Sequence, residues 1–212
     1  PELVRVLCPG GAAVVRIAGN RSWLGTPSQQ IRSIGEDYVY WKKPRPETID
    51  EWTHYLHDAG NNAVAHDAVV GPPRHLQWVG SPLWARHHDR MASLNALVSA
   101  GGRLFYIFDE GPTAAIMLPP EWKLIARDAF NGTVLWKRSI ERWHPHLWPM
   151  KSGFAQLPRR LVACGDRVYA TLGLEAPLCC LDAATGKTLK VYGETATTEE
   201  ALLSGGVLFL LV

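Results

Sequence analysis

The chain has 212 residues, a hydrophobic fraction of 47% and a formal net charge of +2. That composition belongs to a folded globular protein and excludes general disorder. Basic residues occur in pieces no longer than "KKPRP" and "LPRR", which leaves no electrostatic footprint for nucleic acid, and the longest apolar runs, "GGAAVV" and "VLFLLV", are far too short to cross a bilayer.

In chain order, "ELVRVLCPGGAAVV" (residues 2–15) predicts the end of an amphipathic helix, a Pro-Gly-Gly turn and a buried apolar strand. A further strand is expected in "DYVYWKKPRP" (37–46), closing at its prolines. Together these resemble the late part of a class I S-adenosylmethionine-dependent methyltransferase, in which a helix ends in "LxPGG" ahead of the fifth strand. The glycine-rich cofactor loop and the acidic ribose-binding residue of that family lie earlier in its chain and have no counterpart here. The resemblance therefore implies, over residues 1–46, the tail of an α/β methyltransferase-like domain that cannot bind S-adenosylmethionine by itself. The chain starts at Pro1 without a methionine and stops inside an apolar run, so it is expected to be a fragment of a multidomain protein.

The next segment, "DEWTHYLHDAGNNAVAHDAVVGPPRHLQWVG" (50–80), carries an Asp-Trp start, an Asn-rich loop, a Pro-Pro pair and a first expected strand in "RHLQWVG". Beyond it the sequence repeats. "LVSAGGRLFYIFDEG" aligns with "LVACGDRVYATLGLEA", so that Arg103 and Arg167 correspond at a spacing of 64 residues. "LIARDAFNGTVLWK" aligns with "LCCLDAATGKTLKV", so that Asp128 and Asp182 correspond at a spacing of 54. The difference sits in the Pro-rich insertion "GPTAAIMLPPEW", and "LLSGGVLFLLV" begins a third copy. Within each copy an Asp able to hydrogen-bond amides two residues on, followed by Gly132 or Gly186 for a positive φ, predicts a β-hairpin between apolar strands. Units of this kind cannot bury both faces alone and must stack on their neighbours, as the four-stranded blades of a β-propeller do.

The "RDAFNGTVLW" and "LDAATGK" turns resemble the pyrroloquinoline-quinone-like propeller repeat shared by quinoprotein dehydrogenases and the outer-membrane assembly lipoproteins, and residues 50–80 resemble the usual opening of such propellers. In that repeat a tryptophan after the glycine docks between blades. Trp136 matches, four residues after Gly132, whereas Lys190 stands at the equivalent position of the second copy. The resemblance implies a mainly β protein, a partial β-propeller with a short α/β remnant at its N-terminus. Its parts are residues 1–46, a propeller lead-in segment and first strand over 47–90, and blades over 91–212. It leans towards a cell-envelope or exported location; the methyltransferase resemblance leans towards the cytoplasm.

Chemistry-bearing residues are sparse. Cys8, Cys164, Cys179 and Cys180 lack CxxC spacing, which opposes a zinc cluster. Quinoprotein dehydrogenases place a disulfide between adjacent cysteines against the quinone, but alternation along a strand sends Cys179 and Cys180 to opposite faces, so the pair is expected to be small core residues. The eight histidines fall in a few loops. His54 and His57 with Asp58, and His87 and His88 with Asp89, are candidate metal ligands; the alternative is that they cap turns and pair with Asp. Trp143 and Trp148 flank "HPH" and are expected to pack rather than stack on a ligand, and Asp109, Glu110, Glu199 and Glu200 are expected to be solvated loop carboxylates. No catalytic or cofactor-binding residue is assigned. Three functions follow from the resemblances: a non-catalytic propeller binding a protein partner or the remaining blades of its own chain, an accessory module of a methyltransferase, and a pyrroloquinoline-quinone-dependent dehydrogenase with Ca²⁺.

Overall fold

The computed structural model describes residues 7–16, 31–68, 74–86, 92–115, 117–144 and 155–212. They are mainly β, in four antiparallel sheets, and the only helical element among them is a 3-10 turn at Leu157–Arg160. Two compact units result: Pro1–Asp50 with His66–Gly71, and Glu51–Ala65 with Pro72–Val212.

The first unit holds a three-stranded sheet of β1 (Ala12–Arg16), β2 (Ile31–Ile34) and β3 (Tyr38–Lys42), in the order β1-β3-β2. The Pro-Gly-Gly turn forms as expected from its glycines. Gly10 takes φ +75°, Gly11 donates to the Cys8 carbonyl at 2.9 Å, and Gly10 donates to the Lys43 carbonyl at 3.0 Å. The strand after it is not buried, however. β1 is an edge strand paired only with β3, and Val14 is 60% exposed, whereas the central β3 buries Val39 and Trp41 on one face. Where an α/β remnant is expected, the described residues hold only strands; the expected helix end over residues 2–6 lies outside them.

The second unit contains the repeats. β4 (Leu94–Ala100), β5 (Arg103–Asp109), β6 (Trp122–Asp128) and β7 (Val134–Ser139) form one four-stranded meander. β8 (Leu161–Cys164), β9 (Arg167–Thr171), β10 (Leu178–Asp182) and β11 (Thr188–Val191) form the second. β12 (Glu200–Ser204) and β13 (Val207–Leu211) form a two-stranded third. The described strands do not close into a ring. The first hairpin of each sheet turns on a glycine of positive φ at the same place: Gly101, Gly165 and Gly205. In the later hairpin, Asp128 Oδ1 accepts from the amides of Phe130 (2.9 Å) and Asn131 (3.0 Å), and Asp182 Oδ1 accepts from those of Ala184 (3.1 Å) and Thr185 (2.8 Å). Gly132 and Gly186 then adopt φ +74° and +70°, and both copies carry a bulge just before the turn. Equivalent residues thus make equivalent bonds, which is what a true structural repeat requires.

The core lies between the sheets. Ala96, Val98, Phe105, Ile107, Leu124 and Ala126 of the first sheet pack with Leu161, Ala163, Val168, Ala170, Cys179 and Leu181 of the second. The other face of the second sheet presents Val162 and Leu178 to Ala201, Leu203, Leu208 and Leu210 of the third. Because β10 is covered on both faces, "LCCL" reads as a continuous apolar run rather than an alternating one. "RHLQWVG" departs from expectation: residues 74–80 hold no strand, since no ladder partner lies beside them among the described residues.

Candidate functional site

The most specific geometry in the second unit is a tryptophan dock that occurs twice. Trp136 of β7 lies across the turn of the next sheet, its indole N–H donating to the Ala183 carbonyl at 3.0 Å. A Cβ on Gly186 would fall 2.6 Å from the Trp136 ring, so only glycine lets the indole seat. Trp78 repeats the arrangement one sheet earlier. Its indole N–H donates to the Ala129 carbonyl at 2.9 Å, and a Cβ on Gly132 would fall 2.4 Å from its ring. Ala129 and Ala183, like Gly132 and Gly186, are equivalent repeat positions. The segment carrying Trp78 is pinned further by Arg127, which donates to the Ser81 carbonyl, to the Gly132 carbonyl at 2.6 Å and to Tyr106 Oη at 2.6 Å.

Beside this dock, the face of the first sheet turned away from the second forms an apolar groove of about 280 Å³, lined by Trp78, Pro82, Leu97, Leu104, Tyr106 and Phe108. In the second sheet the equivalent face, bearing Leu161, Val168 and Ala170, is covered by the first sheet. No protein-family model and no curated protein matches the chain. A second opening of similar size lies nearby, and at its base Arg86 meets Asp109 at 2.9 Å with both side chains buried. Arg86 also donates to the carbonyls of Ala115 (3.2 Å), Leu118 and Pro119 (3.1 Å), while Asp109 Oδ1 accepts from the amides of Gly111 (2.8 Å) and Glu121 (2.7 Å). The pair therefore clamps the Pro-rich insertion onto the sheet. Asp109 is no solvated loop carboxylate, contrary to expectation: its position at the end of β5 buries it to 1% exposure, where a paired arginine offsets the desolvation of the charge.

The histidine loop crosses the repeats, and His54 takes part in the crossing. Residues 52–54 run across the first strands of all three sheets, which lie side by side. The Ser99 amide of β4 donates to the Trp52 carbonyl at 2.7 Å, the Ala163 amide of β8 to the Thr53 carbonyl at 2.9 Å, and the Leu203 amide of β12 to His54 Nε2 at 3.0 Å. Ser99, Ala163 and Leu203 are equivalent repeat positions, so three consecutive residues satisfy one donor on the free edge of each first strand. His54 is buried, and its Nδ1 lies 2.7 Å from Thr53 Oγ1, which leaves neither ring nitrogen for a metal. Desolvation lowers the His54 pKa, with Asp58 and Glu200 acting against it. His57 turns back beside it, Nδ1 3.4 Å from Asp58 Oδ2. No cluster of three or more ligating residues occurs among the described residues, and His87, His88 and Asp89 lie outside them.

Glu110 meets Lys137 at 2.5 Å and Glu200 meets Arg159 at 2.7 Å, so two carboxylates expected to be solvated have cationic partners. Trp143 is buried and donates to Asn95 Oδ1 at 3.0 Å; Trp148 lies outside the described residues. All four cysteines are free. Cys179 belongs to the core facing the first sheet, and Cys180 lies with Tyr169 on the other side, a separation set by strand alternation. Sequence reasoning missed Trp78 as a docking residue, Arg86 as a clamp and the strap at 52–54. The first could have been found from the spacing of Trp78 to Trp136, 58 residues, against the 54 of the turns they sit on.

Proposed function

We propose that the second unit consists of successive blades of a quinoprotein-like β-propeller, and that this propeller is a non-catalytic binding and scaffold module. The observation that carries the reading is the repeated dock, Trp78 on Gly132 and Trp136 on Gly186: Trp136 sets the first sheet against the turn of the second, and Trp78 seats on the equivalent turn of the first sheet with the same geometry. Trp78 stands where the repeat would put the tryptophan of a preceding blade, and the open groove beside it is the face that such a blade would cover. Leu76, Val79, Leu83 and Trp84 are exposed around it. Protein partners would bind the loops and uncovered faces; no chemistry is assigned to them.

A second reading, an accessory module of an S-adenosylmethionine-dependent methyltransferase, draws on the first unit. There the strand that follows Pro-Gly-Gly pairs directly with the strand that ends at the prolines, and Lys43 Nζ reaches back to the Leu7 carbonyl at 2.7 Å. The dehydrogenase reading is the weakest, since Cys179 and Cys180 face apart and cannot supply the vicinal disulfide of that class. Calorimetric titration of the full chain with pyrroloquinoline quinone plus Ca²⁺ separates the dehydrogenase reading from the other two, and a methyl-transfer assay on the parent protein, which would carry the cofactor loop this chain lacks, separates those two. The scaffold reading expects no quinone binding and no methyl transfer, and cross-linking in cells to join propeller loops to a second protein. Quinone binding with dye reduction overturns it in favour of a dehydrogenase, and methyl transfer by the parent moves it to the second reading.

A further inference from the structure

The strap at residues 52–54 holds the three sheets by unlike bonds. Trp52 and Thr53 use backbone carbonyls, which keep their acceptor character at any pH. His54 uses a ring nitrogen, which does not. The local bonding fixes the ring's protonation. Thr53 Oγ1 donates to the His57 carbonyl at 3.2 Å, so it must accept from His54 Nδ1–H at 2.7 Å; Nε2 is then bare and accepts from the Leu203 amide. The imidazole is neutral in this arrangement, and the chain of bonds Leu203 N–H to His54 to Thr53 to His57 is complete.

We propose that the His54–Leu203 contact is an acid-released latch, which frees the third sheet from the strap while the first and second sheets stay attached. A proton added at Nε2 turns the acceptor into a donor that points at another donor, the Leu203 N–H, and the bond is lost. The two backbone bonds at Ser99 and Ala163 are untouched, so release is confined to β12 and β13. The groups acting on the ring are Asp58 and His57, which follow the strap, and Glu200 on β12, which pairs in turn with Arg159 of the 3-10 turn. Burial holds the ring's pKa below the ordinary histidine value, so the latch stays closed near neutrality and opens as pH falls through the lowered pKa. Asp58 and Glu200 favour the protonated ring and bring that opening closer to neutrality.

The test is amide hydrogen exchange on the full chain at pH 7.5 and at a pH below the His54 ring titration located by nitrogen NMR, with each rate corrected for its intrinsic pH dependence. Loss of one hydrogen bond corresponds to about a tenfold fall in protection at Leu203, with Ser99 and Ala163 unchanged. Equal protection of Leu203 at both pH values overturns the proposal, as does a parallel fall at all three amides. His54→Gln places a carbonyl oxygen, which does not titrate, near the Nε2 position; Leu203 should then stay protected at both pH values, and continued acid loss in this variant overturns the latch. Nitrogen NMR of the wild-type His54 ring needs no variant. It should show a bare Nε2 at pH 7.5 that gains a proton over the interval in which Leu203 exchange rises, and a protonated Nε2 at pH 7.5 refutes the assignment.

Discussion

Gly186 offers a perturbation whose cost can be separated into two parts. It sits at φ +70° and its missing Cβ is the space in which Trp136 lies, 2.6 Å from the ring. Gly165 shares the first feature without the second, with φ +55° and nothing within 4 Å of its would-be Cβ. Gly165→Ala therefore costs only the left-handed backbone conformation, about 1–2 kcal/mol. Gly186→Ala costs the same and in addition forces the indole out of a packed seat, about 1–3 kcal/mol more, for a total of about 2–5 kcal/mol. Urea denaturation followed by far-ultraviolet circular dichroism measures both, with the slope checked for constancy so that the midpoint shift reports stability. Repeating Gly186→Ala in a Trp136→Leu background should reduce its cost to that of Gly165→Ala, because the ring that clashed is gone. Equal costs for the two alanine variants in the wild-type background, within about 0.5 kcal/mol, would refute the dock as a stabilising contact.

Other expectations follow from the same geometry. Asp109→Asn leaves Arg86 charged and buried beside a neutral partner and should destabilise by about 3–5 kcal/mol; thermal melts of the variant check this. Hydrogen bonds from Thr185 and Ala184 hold the Asp182 carboxyl below its ordinary pKa, so its contribution is present above the ordinary aspartate pKa and is lost as pH falls through the lowered one. Asp182→Asn should flatten the acid limb of the stability curve, measured by denaturation at a series of pH values. In thiol titration of the native protein the exposed Cys164 should react readily, whereas Cys179 and Cys180 should react only on unfolding; burial raises the Cys179 pKa, which lowers its thiolate fraction further. Mass spectrometry should find no bond between Cys179 and Cys180.

What the sequence discloses and what it hides divide along physical lines. The hairpins at Asp128–Gly132 and Asp182–Gly186 are legible because a short acceptor side chain and a positive-φ glycine act within five residues. Sheet stacking is legible because repeated apolar strands need one another. The strap is not legible. Two of its three bonds use the backbone carbonyls of Trp52 and Thr53, which leave no side-chain signature, and the third uses a histidine that reads equally well as a metal ligand. The Arg86–Asp109 clamp joins residues from segments that share no periodicity, and only the fold reveals that the carboxylate at the end of β5 is buried. β1 forms where apolar residues predict a strand, yet its exposure depends on its place at the sheet edge, which local sequence does not encode.

The most direct test of the central claim is a crystal structure of the full chain. It should show the two four-stranded sheets and the β12–β13 hairpin as successive blades about one axis, with β4, β8 and β12 innermost and crossed by residues 52–54. Sheets stacked face to face as a closed sandwich, or a strap that leaves the first strands, would contradict it.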